Sequence, residues 1–220
     1  MVPLGGCAGR TLGARMAGLL QNFRNTVVVS LAIALLFVIG YGVHHPGGFD
    51  RIFWQAVFRW MHVCFGVLWI GLLWYFNFVQ IRKMPDIPAE LKPAISKYIA
   101  PEALFWFRWA ALFTVLAGLG IAILRGYLME VLTFGFWNGF DPTLDRPYML
   151  LGVGVWLAII MFLNVWVFIW PNQKIALGIV DADADAKAKA ARLAMLFSRT
   201  NLLLSFPMLT TMAMNQTIFG

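Results

Sequence analysis

The chain alternates long apolar runs with short polar connections. Five runs are long enough to cross a bilayer: Val27–Val43, Phe53–Gln80, Ala103–Leu124, Tyr148–Trp170 and Leu202–Phe219. A transmembrane helix needs roughly 20 apolar residues, and tilt absorbs a few residues either way. Because lipid offers no hydrogen-bond partners to an open backbone, such runs must be helical. The pattern therefore predicts an all-α integral membrane protein, a bundle of about five transmembrane helices.

The composition agrees with this prediction. Hydrophobic residues make up 61% of the 220 positions and charged residues only 12%, which is unlike a soluble domain. The formal net charge of +7 would suit a nucleic-acid-binding protein, but the basic residues lie in short segments between the apolar runs. We therefore exclude nucleic acid as a partner and expect membrane lipids around the chain.

The distribution of Lys and Arg predicts the orientation. With a cytoplasmic N-terminus, 12 of the 17 basic residues fall in cytoplasmic segments, and only Arg51, Arg125 and Arg146 fall on the outer side. Because positive charge is enriched in cytoplasmic loops, we expect a cytoplasmic N-terminus and, after five spans, a periplasmic C-terminus. The first run is followed by no cleavage-site pattern, so we interpret it as a retained span rather than a signal peptide.

With this orientation, we expect the chain to divide into two parts. Residues 1–25 form a basic cytoplasmic N-terminal tail, and residues 26–220 form a single multi-pass membrane domain. The charge bias predicts a membrane with a cytoplasmic side, and we expect this to be the inner (cytoplasmic) membrane of a bacterium.

An unusual set of residues lies inside the second run. His62 follows Arg59 by three positions and precedes Gly66 by four, so the three share one helix face. At 1.5 Å per residue, His62 lies about 14 Å from the start of the run, near the middle of a membrane. Ionisable groups are costly there and indicate a functional site. An imidazole for iron, a gap for the porphyrin and a cation for the propionates together favour haem b as cofactor, with His62 as iron ligand.

The same face also has a purely structural interpretation. A histidine inside a membrane can hydrogen-bond a carbonyl or hydroxyl group of a neighbouring helix, and Gly66 can simply allow close helix packing. The second ligand of a haem iron stays open as well. Candidates are the histidines at the outer end of the first run and four methionines of later runs, His44, His45, Met161, Met208, Met212 and Met214. With Asp50, the two histidines are also a weak candidate for a transition-metal site.

Polar residues near the inner ends of the later runs form a second group. Arg108 lies a turn or two into the third run, and its simplest interpretation is a pair with Glu102 or with an anionic lipid. Asn164, Ser198 and Asn201 belong to the same inner region. Polar groups at helix ends are often only solvated or capping, so this group alone predicts no site. The segment DADADAKAKAARLA before the fifth run predicts a short solvated helix.

Four separate segments carry a resemblance to a known family. They are FRWMHVCFGVLWIGLLWYFNFVQ at 58–80, FWFRWAALFT at 105–114, NVWVFIWPNQKIALG at 164–178 and SRTNLLLSFPML at 198–209. These segments resemble the integral-membrane N-terminal domain of the bacterial membrane-bound urate hydroxylases. The resemblance implies the role of axial haem ligand for His62. Full-length members have a longer membrane domain and a C-terminal cytochrome c, and this chain, without a CxxCH motif, is similar to a short form that lacks the cytochrome.

Three functions follow from these observations. The favoured one is an inner-membrane, haem-b-type electron-transfer or redox accessory module that works with a larger membrane oxidoreductase. The alternative is a non-catalytic structural or assembly subunit of a respiratory or photosynthetic complex, because the spans carry more large aromatics than five helices need among themselves. The third is urate hydroxylase activity of the chain itself, which the resemblance implies. Whether the chain is an enzyme stays open.

Overall fold

A computed structural model describes residues 6–139, 141 and 145–219 of the chain. Seven helices and no strand run through these described residues. Their bounds are Gly6–Gln21 (α1), Phe23–His44 (α2), Arg51–Asp86 (α3), Lys92–Arg125 (α4), Leu128–Leu132 (α5), Arg146–Ala176 (α6) and Ala184–Phe219 (α7). The all-α prediction is confirmed for this part of the chain.

Four of these helices, α2, α3, α4 and α6, are long and apolar enough to cross a membrane. Each contains one of the first four predicted runs, which supports a multi-pass membrane protein. The predicted fifth span, 202–219, is helical but is not among the four. Polar residues interrupt it, namely Ser205, Thr210, Thr211, Asn215 and Gln216. The predicted short solvated helix is not separate either, because α7 is one continuous helix of 36 residues.

Three of the long helices contain π-helical turns. These are Tyr75–Gln80 in α3, Ile95–Ile99 in α4 and Asn164–Ile169 in α6. A π turn inserts an extra residue into the helical repeat, and such turns are frequent at functional sites. Asn77 and Asn164 lie within two of these turns and are both buried.

The chain divides into two compact units, residues 1–57 and 58–220. In the first unit, Asn22 separates α1 from α2, and its side chain accepts a hydrogen bond of 3.1 Å from the Asn25 backbone N–H. The segment predicted as an N-terminal tail therefore contains helix α1. At the other end of α2, the Phe49 ring fills the space beside Gly42, where a Cβ atom would collide with it.

The second unit has its core between α3, α4, α6 and α7. Its most completely buried large side chains include Trp69, Leu73, Phe107, Met161 and Val165. Helix α7 turns a face of small and polar residues inward, namely Ala190, Ala194, Ser198, Asn201, Ser205 and Met208. Small residues let two helix backbones approach closely. Because these inward-facing residues are mostly small or polar, the sequence of α7 is less apolar than that of the other long helices, although α7 packs in the core.

Candidate functional site

His62 on α3 is held against helix α4. Its ring nitrogen Nδ1 lies 2.8 Å from the backbone carbonyl oxygen of Thr114. The ring fits there because residue 118, one turn further along α4, is a glycine. A Cβ atom at Gly118 would lie 2.9 Å from His62 Cε1 and 3.0 Å from Nδ1, which is closer than such contacts allow. The structure thus contains the hydrogen bond that the structural interpretation of His62 expects.

This hydrogen bond also fixes the tautomer of the imidazole. A carbonyl oxygen can only accept, so the hydrogen must be on Nδ1 of His62. In the neutral ring Nε2 then carries a lone pair and can act as an acceptor or as a metal ligand. Histidine ligands of metals commonly donate their other N–H to a carbonyl in this way. The hydrogen bond to Thr114 is therefore compatible with His62 as an iron ligand and equally with His62 as a purely structural contact between α3 and α4.

Arg59 and Gly66 occupy different surroundings on the same face of α3. Arg59 is exposed. Burial raises the pKa of the Tyr127 hydroxyl, while the positive charges of Arg125 and Arg59 act in the opposite direction. Arg59 thus carries an exposed positive charge nine residues into α3, where it could face an anionic group.

Gly66 lies at the contact between α3 and α4. A Cβ atom there would meet the Thr114 methyl carbon Cγ2 at 3.7 Å, an ordinary van der Waals distance. Close helix packing accounts for this position without a porphyrin beside it. His62 and Arg59 thus offer the nitrogen and the cation that a haem would need, and their haem roles, like the porphyrin gap at Gly66, stay predictions.

The other two histidines lie in the first unit and have different partners. His44 Nδ1 is 2.8 Å from the backbone carbonyl oxygen of Gly40, one turn earlier in α2. His45 Nε2 lies 3.3 Å from Asp50 Oδ1, the residue that the sequence named as a third ligand. The Phe53 backbone N–H donates a hydrogen bond of 2.9 Å to Asp50 Oδ1. This hydrogen bond lowers the pKa of the Asp50 carboxyl below its usual range. Among the described residues no three His, Cys, Asp or Glu side chains are grouped to hold a metal ion.

The methionines considered as the second ligand of a haem iron lie in the hydrophobic core or on the surface of the second unit. Met161 is fully buried and Met208 is almost so, and both belong to the hydrophobic core of the second unit. Met212 packs against the same core, whereas Met214 is exposed. Their contacts are those of core and surface side chains of a helix bundle.

Arg108 has a different partner from the one expected. The carboxylate of Glu102 accepts a hydrogen bond of 2.8 Å from the Trp106 indole N–H instead of pairing with the arginine. The Arg108 guanidinium carbon lies 3.4 Å from the centroid of a Trp170 ring, so the cation is stacked on the indole. Arg108 is only 9% exposed, and its Nη1 atom is buried without a hydrogen-bond partner.

Four side-chain contacts, one of them made by this arginine, link the four core helices in turn, and we call their residues the arginine layer. Four contacts form it: Phe76 with Phe107, Asn77 with Ser198, Phe197 with Phe168, and Trp170 with Arg108. These contacts join α3 to α4, α3 to α7, α7 to α6, and α6 back to α4. The layer thus crosses all four helices of the core, and both π turns that contain a buried asparagine lie at or beside it.

Next to the arginine layer lies a hydrogen-bonded pair of asparagines. The Asn164 amide donates to Asn201 Oδ1 over 2.9 Å, and the Asn201 amide donates to the Met161 carbonyl oxygen over 3.0 Å. Asn201 is completely buried. From the sequence, these residues were expected near the inner ends of the apolar runs, where polar groups are often only solvated or capping. The signal that could have separated them is the presence of Asn164 well inside an apolar run, where an amide needs a partner.

Several buried polar atoms of the second unit have no hydrogen-bond partner. In the arginine layer these are Arg108 Nη1 and Asn77 Oδ1, and elsewhere in the unit they are Gln80 Oε1, Trp69 Nε1 and Trp166 Nε1. Asn77 is bonded only through its amide nitrogen, which donates to the Leu73 carbonyl oxygen at 2.9 Å and to Ser198 Oγ at 3.0 Å. Buried polar groups are nearly always paired in native proteins, so such a group of exceptions needs a cause.

Comparison of the chain with protein-family models, with curated proteins and with solved structures gave no match. The similarity to the membrane domain of the urate hydroxylases therefore stays a hypothesis that rests on the four segments quoted above.

Proposed function

We propose that this chain is a haem-b-type electron-transfer or redox accessory module of the bacterial inner membrane, with a cytoplasmic N-terminus. The observation that carries the proposal is the hydrogen bond from His62 Nδ1 to the Thr114 carbonyl oxygen. It leaves Nε2 as the ligand nitrogen and holds the ring in one orientation inside a helix that could cross a membrane.

The residues of this chain would have two roles toward the haem. His62 would provide an axial nitrogen, and Arg59 would lie near the propionates as their counter-charge. The second axial position is left to a ligand outside the chain or to a five-coordinate iron, since residues 58–220, the second unit, contain no histidine other than His62. A bound haem supplies one-electron oxidation and reduction, and apolar surroundings tune its potential. A larger membrane oxidoreductase would be the redox partner.

Optical spectroscopy of three purified proteins tests the proposal. We expect the wild-type chain and Asn172→Ala to show a b-type band in the reduced-minus-oxidised spectrum, and we expect His62→Ala to lose it. Asn172→Ala is the control, because the Asn172 side chain also hydrogen-bonds a backbone carbonyl oxygen, that of Phe168. A spectrum without a b-type band in the wild type, or with an equal band in His62→Ala, would overturn the proposal.

One feature favours the second candidate, a structural or assembly subunit of a larger membrane complex. Helix α4 exposes a row of aromatic rings in contact with each other, at positions 105, 109 and 113. Such a row offers a ready surface to a neighbouring subunit, although lipid can also cover it. Native gels in mild detergent distinguish the two cases: a stable complex supports the candidate, and migration only as a free monomer contradicts it.

A further inference from the structure

Two positive charges are brought to one indole ring of the second unit. The Arg108 guanidinium lies 3.4 Å from a Trp170 ring centroid, and Lys174 Nζ lies 5.8 Å from a Trp170 ring centroid. Arg108 comes from α4, while Trp170 and Lys174 are one turn apart in α6. Cations attract an aromatic face, but they also repel each other, and in surroundings of low polarity this repulsion is strong.

Neither cation has a negative partner in the described part of the chain. The ion pairs found there join His45 to Asp50 and Lys83 to Asp86. Glu102, the acid nearest to Arg108 in sequence, hydrogen-bonds Trp106. A buried charge without a counter-ion costs several kcal/mol in a protein interior, and a charged side chain at membrane depth is comparably costly. A compensating charge from outside the chain removes that cost.

The geometry of Arg108 indicates which group supplies this charge. Its guanidinium is nine-tenths buried and stacked on Trp170, and Nη1 is enclosed with no acceptor. A guanidinium presents its N–H groups in a planar fork that matches the oxygens of phosphate, and a nearby lysine adds a point charge. We propose that Arg108 and Lys174, which both lie beside Trp170, bind a phosphate group. It comes either from the headgroup of an anionic lipid or from inorganic phosphate.

Thermal unfolding of the purified full-length chain in detergent tests this proposal. The midpoint is followed at constant ionic strength, with chloride replaced by either inorganic phosphate or phosphatidylglycerol in mixed micelles. We expect a saturable rise of the wild-type midpoint, because a ligand that binds only the folded state stabilises it. A rise with both probes identifies phosphate itself as sufficient, and a rise with phosphatidylglycerol alone identifies the lipid headgroup as the source.

Three variants locate the effect. In Arg108→Gln and in Lys174→Gln the apparent affinity should fall about ten- to a hundredfold, as expected for lost charged hydrogen bonds. Arg125→Gln is the control, because Arg125 also lies on α4 with an aromatic partner, Tyr127 at 5.7 Å, but is exposed. Its response should equal that of the wild type. If Arg108→Gln does not fold, Lys174→Gln carries the test.

Two results would overturn the proposal. One is a wild-type midpoint that neither probe raises, as expected if water alone fills the arginine layer. The other is an equal rise in the wild type and in both the Arg108 and Lys174 variants. The measurement does not depend on haem, so its outcome is separate from that of the proposed redox function.

Discussion

His62 and Arg108 are both ionisable side chains inside helices that could cross a membrane, and the chain treats them differently. His62 finds its partner within the protein, the Thr114 carbonyl oxygen at 2.8 Å. Arg108 finds an aromatic ring but no acceptor for Nη1. His62 Nδ1 therefore has its hydrogen-bond acceptor, and Nε2 remains available as a ligand nitrogen. Arg108 Nη1 lacks an acceptor, and an anionic group from outside the chain would supply one.

The magnitudes of the two effects differ as well. A hydrogen bond between membrane helices contributes about 0.6 kcal/mol on average, whereas an uncompensated buried charge costs several kcal/mol. The small gain from the His62 contact is consistent with a second role for this histidine, the proposed one of iron ligand. The larger cost at Arg108 supports the proposed phosphate site.

The largest expected effect concerns the buried hydrogen bond between Asn164 and Asn201. Asn201→Leu removes the acceptor of the Asn164 amide and leaves that buried group without a partner. We expect a loss of about 1–3 kcal/mol in the free energy of unfolding, the usual cost of such a group. Unfolding by SDS in mixed micelles measures it. Asn172→Leu is the control, since the half-buried Asn172 also bonds a carbonyl oxygen, but through an exposed hydrogen bond. Equal losses in the two variants would contradict this assignment.

A smaller effect is expected where His62 meets Gly118. Gly118→Ala places a methyl group within about 3 Å of the His62 ring, so the ring must tilt or the helices must move. In Gly71→Ala nothing lies within 4 Å of the new methyl group. We expect Gly118→Ala to be less stable than Gly71→Ala by about 1 kcal/mol or more. The same micelle unfolding measures the difference, and equal stability of the two variants would show that the ring is not held in this place.

The smallest effect belongs to the arginine layer. Ser198→Ala removes one of two acceptors of the Asn77 amide, while the Leu73 carbonyl oxygen at 2.9 Å remains. We expect a loss of about 0.6 kcal/mol. Ser30→Ala in the exposed part of α2 is the control. A loss above about 2 kcal/mol would mean that the serine also holds one of the unpartnered groups of the layer.

The apolar pattern predicted the four long apolar helices because burial in lipid demands uninterrupted hydrophobic residues, and α2, α3, α4 and α6 meet that demand. The same pattern predicted a fifth span in the second half of α7. There, buried small and polar residues such as Ser205 and Asn215 face other helices, and a pattern read from one sequence does not distinguish this face from a solvated one.

The site was predictable in its residues but not in its contacts. Position in an apolar run marked His62 and Arg108 as unusual, because ionisable groups are rare there. Their partners, Thr114 and Trp170, lie 52 and 62 positions away, whereas spacing along a helix reveals only neighbours three or four residues apart. Glu102, an acid six positions before Arg108, was expected to pair with it, and the stacking on Trp170 was not expected.

The haem content of the wild-type chain tests the central claim most directly. The protein is purified in mild detergent after expression with a haem precursor, and its pyridine haemochrome spectrum is recorded beside its protein concentration. The account predicts haem b bound in proportion to the protein, because His62 presents a fixed nitrogen ligand inside the helix bundle. A monodisperse helical protein without haem would contradict it and would leave His62 as a contact between helices alone.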